Sequence, residues 1–466
     1  MASTRRNFLM MVGGGMLALG AGMPVWGEPS DAKPPNFVFI LADDWGWGDL
    51  GCYGHQLLKT PNLDRLAKQG TRFTQFYVNS PVCSPTRTGI MTGQFPSRHR
   101  VFGHFSSNAN NDQRNMPGWL DPKVSTLPKC LKERGYVTGH FGKWHLGSGK
   151  VEGVKAPEPS AYGVDDYRVF AGNLRGWERD ETFNARSSEY VVDEAIRFVE
   201  TNREKPFFVN VWLKDVHAYL DPNEEQMAAY PNLKGALKVY YSAATNADRQ
   251  IGRLLKRLDD LSLVENTIVI FTSDNGPEDI HISNASHSGV GSSGPFRGRK
   301  RSLYEGGVRT PFIIRWPGKA PAGRVDKTTV LSGVDMLPSL CAIADTKPPK
   351  EWKLDGQDMS SALKGSPVRR STPLMWDFRY RIFGHTLNRS PMLAIRDGDL
   401  KLLTNPDRSR IELYDIPKDP SELNNLASER PKDVERLSKM LLDWFKGLPE
   451  GMIEPAAGKN DYPWPE

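Results

Sequence analysis

The sequence predicts an α/β protein built on a large, mostly parallel β-sheet with helices covering its faces. Short apolar segments that resemble strands alternate with amphipathic segments that resemble helices along most of the chain. Several of the strand-like segments end directly in polar or charged residues. The 466 residues are 38% hydrophobic and 25% charged, which is an ordinary globular composition for one large core or two unequal domains.

Four apolar segments predict buried strands that deliver polar side chains at their carboxyl ends. They are 37–41 before Asp43 and Asp44, 137–141 before Lys143 and His145, 207–212 before Asp215 and His217, and 267–271 before Asp274 and Asn275. In open α/β sheets, ligands bind outside the carboxyl ends of the strands. We therefore expect these polar groups to meet at one site.

Helix signals lie between the strands, at 62–69 and at 243–258. Beyond residue 365 the pattern changes to shorter strand candidates, which a helical pattern follows; these segments are 392–396, 401–404 and 431–446. We therefore predict a larger domain at 34–365 and a smaller C-terminal subdomain at 366–466, with a short antiparallel sheet and a helix.

The first 27 residues have the pattern of a twin-arginine export signal. Arg5 and Arg6 precede an uncharged, glycine-rich apolar segment that closes on a plausible cleavage site. A membrane anchor is the alternative interpretation, which the glycine content and the cleavage site disfavour. We expect the twin-arginine translocase to export the folded protein, giving a periplasmic or extracellular product without a stable membrane anchor.

Charge and cysteine usage narrow the function further. The formal net charge is +6, and lysine and arginine are scattered rather than clustered, which argues against nucleic acid and leaves an anionic substrate open. The cysteines show neither a C-x-x-C pair nor even spacing, so neither a zinc ribbon nor a disulfide framework is indicated. We interpret Cys52, Cys130 and Cys341 as small packed residues or free thiols.

The acidic strand ends predict a metal site. Asp43, Asp44, Asp274 and the amide oxygen of Asn275 are hard oxygen ligands that suit calcium or magnesium. A solvated turn explains either pair taken alone. Two such turns at equivalent strand ends favour a metal.

Cys83 begins a segment with a helix-start pattern. Pro85 predicts the first helical position, and the free N–H groups of such a helix would point at whatever lies beside Cys83. A cysteine near a helix start is more often a small buried residue than a nucleophile. The neighbouring residues are therefore needed to distinguish a packed cysteine from a nucleophilic one.

Those neighbours resemble the type I sulfatases, whose modification signature is Cys-x-Pro-x-Arg, as at 83–87. Further elements similar to that family appear in order along most of the mature chain: Asp43-Asp44, 142–147, 274–276, Lys300 ahead of 304–307, 395–402 and 412–415. The resemblance implies an alkaline-phosphatase-like sandwich and makes 34–365 the catalytic domain.

The resemblance also implies the reaction, which is hydrolysis of sulfate monoesters. A formylglycine-generating enzyme would oxidise Cys83 to formylglycine (3-oxoalanine), whose hydrate attacks sulfur with one hydroxyl and expels sulfate with the other. One Ca²⁺ would bind a sulfate oxygen, held by residue 83 and the four oxygen ligands named above.

Roles for five further side chains follow from the same resemblance. Arg87 and Lys143 hold the hydrate, His217 with Lys300 serves the leaving alcohol, and His145 takes the proton of the second hydroxyl. The two histidine roles are exchangeable on this reasoning. Many family members add one more polar contact, for which Asn173 is the candidate.

The substrate is less constrained by the sequence. Export and the aromatic, basic and amide-rich loops 102–114 and 379–389 favour a carbohydrate. The segment 293–298 is similar to that of N-acetylgalactosamine-6-sulfatase-like enzymes, which indicates a 6-sulfated hexosamine or galactose residue of a polysaccharide or glycosaminoglycan.

Two alternatives stay open at this point. The first is a phosphodiesterase or phosphonate monoester hydrolase of the same superfamily. The second is a non-catalytic protein that binds sulfated glycans and never oxidises Cys83. The complete metal, cation and histidine sets argue against the second alternative, because binding alone does not require all of them.

Overall fold

A nine-stranded sheet forms the centre of the computed structural model, which describes residues 33–147, 155–170, 182–279 and 287–462. The predicted export signal and the candidate Asn173 lie outside the described residues. No helix in the described ranges combines the length and the apolar character needed to cross a membrane.

The strands of this sheet lie between residues 36 and 332. They are β1 (Asn36–Ala42), β2 (Thr71–Tyr77), β3 (Val137–Lys143), β4 (Asp166–Phe170), β5 (Phe207–Trp212), β6 (Thr267–Ser273), β7 (Arg309–Arg315), β8 (Arg324–Asp326) and β9 (Leu331–Ser332). Their order is β4-β3-β5-β1-β6-β7-β2-β8, and β9 also pairs with β2. Among these described strands, β7 alone runs antiparallel to its neighbours. The prediction of a mostly parallel sheet is therefore confirmed.

Helices and a second sheet complete the described structure. The helices are α1 (Pro61–Gln69), α2 (Cys83–Thr92), α3 (Asn108–Gln113), α4 (Leu127–Lys132), α5 (Phe183–Asn202), α6 (Glu224–Met227), α7 (Gly235–Asp260), α8 (Glu305–Val308), α9 (Met336–Ile343), α10 (Ser360–Leu363) and α11 (Pro431–Lys446). The second sheet is β10 (Leu374–Asp377), β11 (Leu393–Asp397), β12 (Leu400–Thr404) and β13 (Glu412–Asp415).

The strands of the central sheet are apolar without alternation because both faces are covered. In β1, Phe37 and Phe39 enter one hydrophobic core, to which α2, α4 and α9 contribute. Val38 and Ile40 enter a second core, to which α1, α5 and α7 contribute. The sheet is therefore the middle layer of a sandwich, as the fold prediction required.

The four strands predicted to carry the site are β3, β5, β1 and β6, and they are consecutive neighbours in the sheet. All of their pairings are parallel. Their carboxyl ends consequently lie along one stretch of one edge, so the polar residues that follow them come together.

The C-terminal segment matches its predicted content. The sheet β10–β13 is antiparallel throughout, and one face of it packs against α11 through Leu393, Leu437 and Leu441. The predicted helix at 431–446 has the bounds of α11. The division of the chain at 365 stays a prediction.

Candidate active site

Cys83 is the first residue of α2, a helix whose ten residues are all buried. The sequence predicted the helix start at Pro85, but the helix begins two residues earlier. A proline at its third residue removes no intrahelical hydrogen bond, because the first four N–H groups of a helix have no partner within it. The Cys83 side chain is 3% exposed, and its Sγ lies 3.2 Å from Nδ1 of His145.

His145 follows β3 in a left-handed backbone conformation, with φ of 52°. Its Nε2 lies 2.9 Å from the carbonyl oxygen of Phe105, so Nε2 carries the proton and donates it to that oxygen. Nδ1 is then unprotonated and faces Cys83. Burial, together with the charge of Lys143, lowers the pKa of His145 to about 3. The ring is therefore neutral and can accept a proton from a group at position 83.

The predicted oxygen ligands meet where β1 and β6 end side by side. Asp43, Asp44, Asp274 and Asn275 are all 0% exposed. The backbone N–H of Asp44 donates to Oδ1 of Asp274 at 3.3 Å, and Nδ2 of Asn275 donates to Oδ1 of Asp44 at 2.7 Å. These contacts connect Asp44, Asp274 and Asn275, and we call these three residues together with the neighbouring Asp43 the acidic cluster.

Two oxygens of this acidic cluster have no hydrogen-bond donor. Oδ1 of Asp43 and Oδ1 of Asn275 are buried and unpartnered. Leaving such atoms unsatisfied is costly, and a hard cation would satisfy both. Oxygen atoms of Asp43 and Asp44 and a ring nitrogen of His217 also lie within 4.8 Å of one another. The residues therefore fit the expected calcium ion.

The charges in the cluster agree with that fit. Burial and the neighbouring Asp43 carboxylate raise the pKa of Asp274 to about 8. Despite burial, Lys143 and other neighbouring cations hold the pKa of Asp43 far below its usual range. Crowded carboxylates of this kind ionise together more easily when a divalent cation lies between them.

Arg87 lies behind the acidic cluster and is fully buried. Its Nη2 and Nε donate to Oδ2 of Asp274 at 2.6 and 3.1 Å, and its Nη1 donates to the carbonyl oxygen of Lys143 at 2.8 Å. The Lys143 ammonium group in turn donates to Asp43. Arg87 therefore holds Asp274 in place from behind the acidic cluster. It is not among the described residues that line the cavity.

Lys300 and His217 lie on the other side of the acidic cluster. The Lys300 ammonium group contacts the Asp44 carboxylate at 2.7 Å and Oε2 of Glu278 at 3.2 Å. Nδ1 of His217 lies 2.9 Å from the carbonyl oxygen of Ala218, which leaves Nε2 to face Asp44 at 4.0 Å. Burial and the charges of Lys143 and Lys300 lower the pKa of His217.

These groups surround a cavity of about 580 Å³. Six predicted site residues are among the described residues that line it: Asp43, Cys83, Lys143, His145, His217 and Lys300. The aromatic side chains of Phe170, Phe183 and Tyr219 lie on its walls. The size and the mixture of aromatic and charged groups suit one ring of a small polar ligand.

The sequence analysis missed Glu278 and Arg301, which also line the cavity. Glu278 lies two residues after the predicted segment 274–276, and Arg301 directly follows Lys300, so proximity to predicted residues was the available signal. Of the loops predicted to contact sugar, 102–114 contributes His104, whereas the described lining includes no residue of 379–389. There, Arg379 stacks instead on Phe102, 3.7 Å from the ring centre.

Two family models match the chain. The sulfatase model covers residues 35–346, and the model of the C-terminal region of N-sulphoglucosamine sulphohydrolase covers residues 294–446. The first range contains every described strand of the central sheet, and the second contains the C-terminal sheet and α11.

Curated relatives and a solved structure give the same result. The chain is 34% identical to N-acetylgalactosamine-6-sulfatase of Canis lupus familiaris, over 75% of this chain and 69% of the relative. It is 29% identical to N-acetylgalactosamine-6-O-sulfatase of Bacteroides thetaiotaomicron, over 88% and 93% of the two chains. Its fold is similar to that of Ps i-CgsB in complex with k-i-k-neocarrahexaose, with a TM-score of 0.73, 26% identity, and coverage of 88% and 93%.

Proposed function

The chain belongs to the sulfatase family and is a sulfuric ester hydrolase, and we propose that it releases sulfate from a sulfated carbohydrate with formylglycine at position 83 and one calcium ion. The observation that carries the proposal is the geometry around Cys83. Its Sγ faces the unprotonated nitrogen of His145 at 3.2 Å, in the same cavity that Asp43 and Lys300 line.

Calcium would be held by the acidic cluster of Asp43, Asp44, Asp274 and Asn275, together with residue 83. Two oxygens of that cluster are already unpartnered, which supports a ligand role for them. When bound, the ion would neutralise charge on a sulfate oxygen. Arg87, through Asp274, would keep the acidic cluster in place.

Hydrated formylglycine would supply one hydroxyl that attacks sulfur and a second hydroxyl whose deprotonation allows sulfate to leave. His145 is positioned to take that proton, because Nδ1 points at residue 83 while Nε2 is bound to Phe105. Lys143 holds a positive charge beside residue 83, and Lys300 and His217 line the wall where the alcohol would depart.

The substrate part of the proposal rests on the cavity and on the relatives. A cavity of about 580 Å³ with three aromatic side chains on its walls can enclose one sugar ring. Two relatives are named for 6-sulfated N-acetylgalactosamine, and a structural neighbour holds an oligosaccharide. We therefore propose a 6-sulfated hexosamine or galactose residue as the substrate.

Export and maturation complete the proposal and rest on the sequence alone. The segment 1–27 would direct the folded protein through the twin-arginine translocase to the periplasm or beyond. Conversion of Cys83 to formylglycine is an oxidation, so it would require a formylglycine-generating enzyme as a partner.

The experiment combines mass analysis with a substrate panel. Protein made in a host that matures sulfatases is digested, and formylglycine is expected to lower the mass of the peptide containing Cys83 by about 18 Da. Sulfate release is then measured from N-acetylgalactosamine 6-sulfate and galactose 6-sulfate, with Cys83→Ala as the inactive control. Turnover of phosphodiesters or phosphonate monoesters without sulfate release would favour the alternative hydrolase. An unmodified Cys83 in that host would remove the proposed nucleophile.

A further inference from the structure

We propose that Glu278 is a positioning residue for the leaving-group side of the reaction, which orients the Lys300 ammonium group toward the scissile oxygen. The inference rests on the proposed function and adds a residue to it. Glu278 lies next to the acidic cluster, but its carboxylate contacts Lys300 and Arg301.

Glu278 is itself rigidly held. Its side chain is 6% exposed. Both carboxylate oxygens receive hydrogen bonds from the Arg301 guanidinium group, and the backbone N–H of Asp279 donates to Oε1 at 2.8 Å. The Arg301 backbone N–H donates to the carbonyl oxygen of Pro81 at 2.9 Å, close in sequence to Cys83. The Glu278 carboxylate therefore has a fixed place relative to the residue that would carry the nucleophile.

The Lys300 ammonium group has three N–H donors. Its Nζ donates to Oδ2 of Asp44 at 2.7 Å, lies equally close to Oδ1 of Asp44, and forms an ion pair with Oε2 of Glu278 at 3.2 Å. The two carboxylates therefore hold the ammonium group between them and fix its position in the site. Lys300 lines the cavity, where a bound ester would accept a hydrogen bond from an N–H that Asp44 does not use. The Lys300 backbone N–H also donates to the carbonyl oxygen of Pro277 at 2.9 Å, which anchors the base of the side chain.

Removing the charge of Glu278 would leave Asp44, among the described residues, as the carboxylate in ion-pair contact with the Lys300 ammonium group. The ammonium group would then be held from one side and could move away from the position that faces a bound ester. The loss should matter most for a substrate whose leaving oxygen develops a large negative charge. A sugar alcohol is such a leaving group, whereas 4-nitrophenolate spreads its charge over the ring.

A purely structural ion pair predicts a different result. If Glu278 only stabilised the wall of the cavity, its loss would affect both kinds of ester alike. The ratio of the two effects therefore separates a positioning role from a structural one.

The test compares Glu278→Gln with the unchanged enzyme on a sugar 6-sulfate and on 4-nitrophenyl sulfate. We expect kcat for the sugar ester to fall by about ten-fold more than kcat for the nitrophenyl ester, with KM little changed. Glu278→Asp keeps the charge and should recover part of the lost kcat. Glu194→Gln is the matched control, because Glu194 on α5 also pairs with two arginines, Arg168 and Arg197, outside the cavity.

A second comparison shows whether the effect passes through Lys300. In a Lys300→Ala background, Glu278→Gln should cause no further loss that is specific to the sugar ester. Equal losses on the two esters, or an unchanged additional loss without Lys300, would overturn the inference. If Glu278→Gln does not fold, the selectivity of Glu278→Asp decides, since it must lie between that of the unchanged enzyme and that of Lys300→Ala. Failure of the unchanged, matured enzyme on every sulfate ester would instead refute the proposed function.

Discussion

The imidazole of His140 is buried without a full set of partners, and this contributes to how the protein responds to acid. The ring is 0% exposed, and its Nε2 lies 3.3 Å from the carbonyl oxygen of Lys143. It packs edge-on against Trp144 and Trp212. Burial lowers the pKa of His140 from 6.5 to about 3. The folded protein therefore keeps this ring neutral at pH values where an unfolded chain would protonate it.

The first prediction is that the free energy of unfolding falls as the pH drops from 6.5 toward 3. In this range the unfolded chain binds a proton that folded His140 does not, at a slope of up to about 1.4 kcal/mol per pH unit. Denaturant titrations at several pH values measure the slope. His140→Gln should make the slope shallower, and an unchanged slope would contradict the assignment.

The unpartnered oxygens of Asp43 and Asn275 lead to the second prediction. If calcium occupies the acidic cluster, removing it with a chelator should lower both the melting temperature and the activity, because a ligand stabilises the state that binds it. Calorimetry before and after calcium is restored measures the effect. Asp274→Ala should abolish the difference between the two conditions. A melting temperature that does not respond to verified metal removal would refute the site.

Residues directly at strand ends could be predicted from sequence, whereas the role of Glu278 could not. Asp43, Lys143, His217 and Asp274 each follow an apolar run, and parallel strands bring such ends together. Glu278 gains its role from a contact with a residue 22 positions later, which no local pattern encodes. The left-handed backbone of His145 was equally hidden, because that conformation is uncommon for residues other than glycine.

At the scale of single elements, β3 owes its position to a glycine. Gly142 has φ of +108°, and a Cβ at this residue would lie 2.0 Å from the carbonyl oxygen of Trp212 on β5. A side chain would therefore separate β3 from β5 next to Lys143, which ends β3, and His145, which follows it. Close approach of two backbones explains the glycine before that pair of polar residues.

The third prediction follows from that close approach. Gly142→Ala should destabilise the protein by about 3 kcal/mol and lower kcat, since both a left-handed conformation and a backbone clash have to be accommodated. Gly135→Ala is the control, because Gly135 also has a positive φ of 77° but nothing lies within 4 Å of the added Cβ. It should cost about 1 kcal/mol and leave kcat unchanged. Thermal unfolding and kinetics distinguish the two variants.

The helix α2 shows which part of an element the sequence can predict. Its existence followed from Pro85, but its first residue did not, because a proline is tolerated throughout the first turn of a helix. Its complete burial was also not predictable, since Ser84, Thr86 and Arg87 are polar. Hydrogen bonds from Thr86 and Thr88 to backbone carbonyl oxygens make that burial possible.

At the scale of the whole molecule, a buried charge connects the C-terminal sheet to the main body. Lys401 on β12 is fully buried and contacts Glu305 on α8 at 2.9 Å and Glu422 at 3.0 Å. Glu305 also contacts Tyr77 of the central sheet at 2.5 Å. The predicted subdomain at 366–466 is thus joined to α8 and β2 by polar contacts as well as by apolar packing.

The fourth prediction tests that connection. Lys401→Met should destabilise the protein by about 3–5 kcal/mol, because two buried carboxylates lose their shared cation. Lys418→Met removes an ion pair in which the lysine is 83% exposed, and it should change the free energy of unfolding by less than about 1 kcal/mol. Denaturant unfolding compares the variants, and similar effects for the two would contradict the connection.

The overall architecture was predictable because it depends on repeated apolar segments and their order. The interior ion pairs were not, because Lys401 and Glu305 occur in a sequence that also favours ordinary surface positions for both residue types. Only the contact of the C-terminal sheet with α8 places them inside.

The burial of α2 finally bears on when Cys83 can be oxidised relative to folding and export. Cys83 is 3% exposed, and the helix that it begins is buried along its whole length. An oxidising enzyme that has to bind the segment around Cys83 can do so only while that segment is still unfolded. If Cys83 matures as proposed, modification competes with folding soon after synthesis. Chains that fold before Cys83 is modified would then be exported in the folded state but would permanently lack the nucleophile.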